Sequence, residues 1–225
     1  MMNRALVVVA GPTTDQPVGI DRRTSDVVIA ADGGAALADV LGWPIDALVG
    51  DFDSVEPDTL ARTRAAGATV RAFPSDKDET DLELALAEAR ERAADEVIVV
   101  GGGGGRLDHL LGVIAALSGP IVRDPGWRPR VEARLDGQRV VAVDDSWSER
   151  LDEDAVFSVI AVTDLAEVSI AGARWELDHH VLRRGSSLGM SNRAMGPSTE
   201  VTVWSGSVLV VLPVMPAANT LEATR

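Results

Sequence analysis

Through its first half the chain keeps switching between short valine-rich runs and longer stretches with helical spacing. Residues 5–10, 27–31, 48–49, 69–73 and 96–100 are apolar runs of strand length. Residues 35–41, with Gly42 as a stop, and 59–66, with Gly67 as a stop, have helix-forming composition. Thr80-Asp81-Leu82-Glu83 fits a capping box, and Leu82, Ala85, Leu86, Ala89 and Ala93 fall on one helical face behind it. Residues 107–117 form the next helix. Strands that alternate with helices in this way build a parallel sheet covered on both faces.

The pattern changes after Gly119. Pro120, Pro125, Gly126 and Pro129 break the chain, and a domain boundary is placed there, giving residues 1–128 and 129–225. Beyond it, residues 138–143, 155–162, 166–171, 201–204 and 208–212 are short apolar or alternating runs separated by turn residues, the spacing of an antiparallel β-sandwich or barrel. The expected fold class is therefore α/β: an N-terminal parallel-sheet α/β domain followed by a C-terminal antiparallel β-sandwich. Residues 11–26 read mostly as loop, and the tail after Pro213 is expected to fray.

Composition narrows the partners. The 225 residues carry 21 basic and 35 acidic side chains, a net charge of −14. Such a surface repels nucleic acid and anionic membranes, since phosphate contacts need a basic footprint. There is no cysteine, so disulfides and thiolate metal sites are excluded. No apolar run approaches a membrane span, and the first residues lack a signal-peptide pattern. A cytoplasmic protein is the simplest expectation. One lysine, Lys77, stands among 20 arginines, and it lies between Asp76 and Asp78. Its ammonium is a compact charge chemically unlike a guanidinium fork, although a single leftover lysine has to sit somewhere.

The chemistry gathers where strands end. Gly50-Asp51-Phe52-Asp53-Ser54 follows an apolar run. With Asp51 and Asp53 two apart, both carboxylates can point the same way on an extended segment. Hard oxygens of this kind suit Mg²⁺ held together with substrate phosphates; a solvated turn capped by Asp and Ser accounts for the string equally well. Asp76 to Asp81 adds carboxylates at a helix start, where Glu79 and Glu83 need no role beyond complementing the helix dipole. Gly101 to Gly105, then Arg106, leads from a strand into a helix, a candidate phosphate cradle with a permanent cation beside it. It is neither a Walker loop nor a full dinucleotide fingerprint. His109 reads first as a structural hydrogen-bonder, and His179 and His180 as solvated sheet residues.

These motifs come in an order that resembles the thiamine pyrophosphokinase family: Asp32-Gly33-Gly34, Gly50-Asp51-Phe52-Asp53-Ser54, Asp76-Lys77-Asp78-Glu79-Thr80-Asp81 and Gly104-Gly105-Arg106-Leu107-Asp108-His109. The second half continues the likeness. Gly172-Ala173-Arg174-Trp175-Glu176-Leu177 is similar to that family's Gly-x-x-Trp-x-Leu, and Ser191-Asn192 to its Ser-Asn signature. The likeness runs from about residue 27 to 212. It implies an α/β domain for ATP and Mg²⁺, a β-sandwich that holds thiamine, and a homodimer with active sites between subunits. Carried over by position, Asp51, Asp53 and Asp81 are the expected metal ligands, and Asp53, Asp81, Arg106 and Asp108 the catalytic set. Asp32, Gly33, Gly34, Lys77, Asp78, Thr80, Gly104, Gly105 and Arg106 are expected at ATP. Trp175, Ser191 and Asn192 are expected at thiamine; without the likeness, Trp175 reads as a sandwich-core tryptophan. Two features depart from the family: Val113 stands where asparagine is usual, and the loop over residues 11–26 is short for a helical crossover. The implied reaction is diphosphate transfer from ATP to the thiamine hydroxyl. Alternatives are the same transfer to another hydroxymethyl heterocycle such as a pterin, a non-catalytic thiamine or nucleotide sensor, and a dinucleotide module using Asp124.

Overall fold

The valine run near the start of the chain is buried along its whole length. In the computed structural model, which describes residues 2–11 and 20–213, it forms β1 (Arg4–Val9) between two parallel neighbours. On one side lie β2 (Val27–Ala31), β3 (Ala47–Gly50) and β4 (Thr69–Ala72), and on the other β5 (Glu96–Val100), all parallel. Alternate β1 residues point to opposite faces. Val7 joins the cluster holding Leu82, Leu86 and Leu117, while Leu6 and Val8 join Leu37 and Ala38. Both faces are covered, as an all-parallel arrangement requires. The first is covered by α3 (Asp81–Glu91) and α4 (Leu107–Ala116) and the second by α1 (Gly34–Val40), with α2 (Pro57–Ala65) beside it.

The chain steps outward from β1 to β4, then α3 carries it back past β1 to β5. Strand order reverses between β1 and β5, which is where open α/β sheets leave a crevice beyond the strands' carboxyl ends. The capping box at α3 is present with both reciprocal bonds. Ala93, expected on the apolar face of α3, lies outside it: the helix ends at Glu91, and Ala93 takes a left-handed φ of 52° to leave it. The buried contact passes to Ala94.

The second half extends this sheet before it starts another. β6 (Arg130–Leu135) pairs in parallel with β5, so main-chain hydrogen bonding crosses the boundary placed near residue 128. A tight turn at Asp136-Gly137 leads to β7 (Gln138–Val143), and β14 (Val208–Pro213), β9 (Val156–Ala161) and β12 (Asn192–Arg193) complete ten strands. A separate antiparallel sheet takes β8 (Ser146–Glu149), β10 (Leu165–Ala171), β11 (Leu177–Arg183) and β13 (Thr199–Ser205). Phe157, Val159, Val208 and Val210 of the long sheet pack against Val168, Ile170, Leu182 and Val201 of the short one. The sandwich is therefore there, with one layer borrowed from the α/β sheet. Among the described residues no helix is long and apolar enough to cross a membrane. Residues 20–26 carry no helix or strand, as the loop expectation has it, whereas the expectations for residues 12–19 and for the tail after Pro213 fall outside the described residues.

Candidate active site

A cleft of about 450 Å³ opens at the switch point, lined by the ends of β1, β2 and β5 and by the first turns of α3 and α4. Its acidic end is built by two turns in contact. The chain leaves β2 through Asp32, at φ 44°, whose N–H donates to the Val49 carbonyl at 2.8 Å. It leaves β3 through Gly50, at φ 142°. A Cβ on Gly50 would stand 3.0 Å from the Asp32 Cβ, so only glycine lets these turns lie so close. Asp32, Asp51 and Asp53 consequently each bring a carboxylate oxygen within 4.8 Å of the other two. The Asp53 N–H donates to Asp51 at 3.2 Å and the Ser54 hydroxyl to Asp53 at 2.7 Å.

The three carboxylates differ in environment. Burial pushes the Asp32 carboxyl above its ordinary range; the Gly33 N–H and the Ser54 hydroxyl pull the other way, and the charges of Asp81 and Asp51 add to the rise. Its Oδ1 is buried without a hydrogen-bond partner. Asp51 lies below the ordinary range because the Asp53 N–H, the Ser75 hydroxyl and Lys77 favour its charge. An orphaned buried carboxylate oxygen beside two further carboxylates is a costly arrangement without a cation to share. All-oxygen donors fit a hard divalent ion such as Mg²⁺.

Asp81, expected in the same ligand set, stands in the α3 wall of the cleft. Its Oδ1 lies 3.1 Å from the Lys77 ammonium, off the angle for a hydrogen bond. Lys77 is mostly buried there, so the one lysine is a cleft residue. Thr80 also lines the cleft, with its hydroxyl engaged in the cap by the Glu83 N–H. Gly33 lines it too, whereas Gly34 serves packing: a Cβ there would fall 2.1 Å from the Val8 carbonyl. Asp78 is exposed and outside the lining.

Of the glycine loop, Gly102 reaches the cleft, while Gly104 and Gly105 are exposed beside it. Arg106 stands at the N-cap position of α4 without a side-chain capping bond and holds Asp108 at 2.5 Å on the surface. That contact, with the His109 N–H, lowers the Asp108 carboxyl to about 2, so it is ionised at neutral pH. Asp108 and His109 line the cleft. Asp124, the acid a dinucleotide site would need, does not line the cleft; it pairs with Arg90 at 3.0 Å and accepts from the Gly126 N–H.

The sandwich residues form a second group, and none of them lines the cleft. Trp175 is 54% exposed, so it is not a core tryptophan. The Arg174 guanidinium lies 5.1 Å from its ring centre. Asn192 is buried, and its amide is consumed locally: Oδ1 accepts from the Trp175 N–H at 3.1 Å and the Arg193 N–H at 2.8 Å, while Nδ2 donates to the Trp175 carbonyl at 2.8 Å. It clamps the loop that presents the indole. Ser191, at φ 55°, is exposed and ties its N–H to the Ser158 hydroxyl. Asn192→Ala strands the Trp175 N–H and carbonyl, and is expected to lower unfolding free energy by ~1–3 kcal/mol in urea titrations.

Comparison with known proteins resolves what the two groups have in common. A family model described as "Thiamin pyrophosphokinase, catalytic domain" matches residues 22–124, and one described as "Thiamin pyrophosphokinase, vitamin B1 binding domain" matches residues 147–210. The chain belongs to the thiamine pyrophosphokinase family. A thiamine pyrophosphokinase of Bacillus subtilis is 29% identical over 180 residues, 78% of this chain and 76% of that protein. The crystal structure of a B. subtilis thiamine pyrophosphokinase superposes with a TM-score of 0.80 at 24% identity, covering 95% of this chain and all of that one. That of a Geobacillus thermodenitrificans thiamin pyrophosphokinase gives 0.77 at 25% identity, covering 97% and 100%. The catalytic match holds every lining residue of the cleft but Val9 and Ala10, and the B1-binding match holds Trp175, Ser191 and Asn192.

Several cleft residues were not anticipated as such. Ser54 and Glu79 lie inside motifs already singled out. His109, Gly112 and Val113 share the helix face that begins at Asp108, a placement that i, i+4 spacing could have flagged. Val9 and Ala10 carry no chemical signal in sequence and enter only because β1 is central.

Proposed function

We propose that this thiamine pyrophosphokinase transfers the terminal diphosphate of ATP to the hydroxyl of thiamine, releasing AMP and thiamine diphosphate. The observation that carries the reading is the trio Asp32, Asp51 and Asp53, in which Asp32, whose Oδ1 is buried without a partner, also lines the cleft walled by Lys77, Asp81 and the start of α4. In this reading Asp32, Asp51 and Asp53 hold Mg²⁺, which when bound neutralises phosphate charge and polarises the phosphoryl oxygens. The Gly102–Arg106 loop and the first N–H groups of α4 cradle the phosphates.

The thiamine oxygen bonds to the β-phosphorus as the bridge to the α-phosphate breaks, and the hydroxyl proton passes to a carboxylate of the cleft. Such transfer asks for in-line positioning and for charge placed where charge develops. Lys77 answers the growing negative charge with its mostly buried ammonium, and Asp81 fixes where that ammonium points. Arg106 exchanges its surface partner Asp108 for a phosphate oxygen. Trp175 offers an open indole face to the cationic thiazolium, and Asn192 acts through Trp175 by holding its loop.

The working enzyme in this reading is a homodimer in which one subunit's cleft meets the partner's indole. Its support is that Trp175 lies outside the cleft of its own chain, while Leu107 and Leu111 leave exposed apolar surface on α4 beside that cleft. The absence of cysteine suits a cytoplasmic setting. Incubation with thiamine, ATP and Mg²⁺ is expected to yield AMP and thiamine diphosphate in equal amounts, with EDTA stopping both. Release of ADP, or product from a hydroxymethyl pterin in place of thiamine, overturns the assignment.

A further inference from the structure

Gly112 lies in the interior of α4, the sixth of its ten residues, where glycine weakens a helix relative to alanine. The usual reasons for accepting that loss are missing. Its φ is not in the left-handed region, and a Cβ built on it meets no atom within 4 Å. No neighbouring backbone needs the close approach that explains Gly34, and no turn needs the conformation that explains Gly50. What Gly112 faces is the cleft.

Along the cleft side of α4, Asp108 and His109 stand in the first turn beside the glycine loop, with exposed Gly112 and buried Val113 one turn further along the helix. Val9, Ala10 and Gly102 adjoin them, with Leu82 in the opposite wall. Around Gly112, the lining residues Val9, Ala10, Leu82, Gly102 and Val113 are all uncharged; the charged side chains of the cleft are Asp32, Lys77, Glu79, Asp81 and, one turn before Gly112, Asp108. We propose that Gly112 sets the depth of an uncharged slot for the nucleobase of the phosphate donor, and that the missing side chain at this position is the space the base enters. The assignment rests on the proposed phosphate site in the same cleft. A triphosphate held at the polar end places its base further along the same channel, and a planar uncharged ring suits a slot between Val113 and Leu82. The thiazolium, being cationic, belongs with the exposed indole of Trp175.

AMP binding measured by calorimetry, with Gly112→Ala and Gly112→Leu, tests this without needing turnover. Both variants substitute a better helix former, so the melting temperature is expected to hold or rise by ~2–4 °C. The AMP Kd is expected to rise by ~10-fold or more for Gly112→Leu and less for Gly112→Ala, because added volume competes directly with the ring. Thiamine affinity stays within about twofold, since its contacts lie elsewhere. If Gly112→Leu fails to fold, Gly112→Ala decides by the same graded sign. An unchanged AMP Kd in a folded Gly112→Leu protein overturns the slot, as does an equal loss of thiamine affinity. Should the wild type bind AMP with this dependence on Gly112 yet make no thiamine diphosphate, the slot stands and the proposed reaction falls.

Discussion

Asp53→Asn is expected to lower kcat for AMP formation by ~10²–10³-fold while leaving the fold intact, as losses of single charge-stabilising groups do elsewhere. The carboxylate sits in a trio whose oxygens lie within 4.8 Å of one another, and it accepts the Ser54 hydroxyl. Replacing it with an amide keeps the shape of the turn and removes one negative charge. Where three carboxylates crowd together, that removal relieves repulsion in the metal-free protein. Thermal stability measured without Mg²⁺ should therefore match or exceed the wild type. The divergence is the diagnostic: a protein at least as stable, with Mg²⁺ no longer raising its melting point, and almost no product. Turnover within threefold of wild type would refute the role given to this acidic trio.

Mixing two inactive proteins should restore activity. Asp53→Asn damages the acidic trio that Asp32 joins to the cleft, and Trp175→Ala removes an indole that lies outside the cleft of its own chain. If each site joins the cleft of one subunit to the indole of its partner, a mixed dimer holds one site with neither defect. Random exchange makes half the dimers mixed, so about a quarter of wild-type turnover should return when equal amounts are combined. Each variant alone stays near background at subsaturating thiamine, because Trp175→Ala acts mainly on thiamine binding. No recovery after verified subunit exchange would mean that the site is built within one chain.

Much of the fold was legible because its signals are local. Valine runs, helix stops and the capping box at Thr80 are read within windows of a few residues, and these elements appear where that reading puts them. Strands that were missed had weaker local signals. β11 is charged or polar through most of Leu177–Arg183, with only Leu182 buried, because it lies at a sheet edge. β6 alternates apolar residues with charges, and its pairing with β5 depends on strand order that no local window contains.

The sequence by itself determined the alternation that demands a covered parallel sheet, the change to short strands after Gly119, and the carboxylates and glycines at the strand ends. It also singled out Lys77, which proves to be a cleft residue. Only the tertiary structure decided which carboxylates meet. Asp32 joins Asp51 and Asp53 because Gly50 lets two turns touch, while Asp81, on a helix that arrives from β4, faces Lys77. The tertiary structure likewise turned Asn192 inward to brace Trp175 and left Gly112 facing open space. Spacing along a chain governs hydrogen-bond ladders and side-chain faces. Convergence of residues far apart in sequence is governed by strand order and by how closely two backbones can approach.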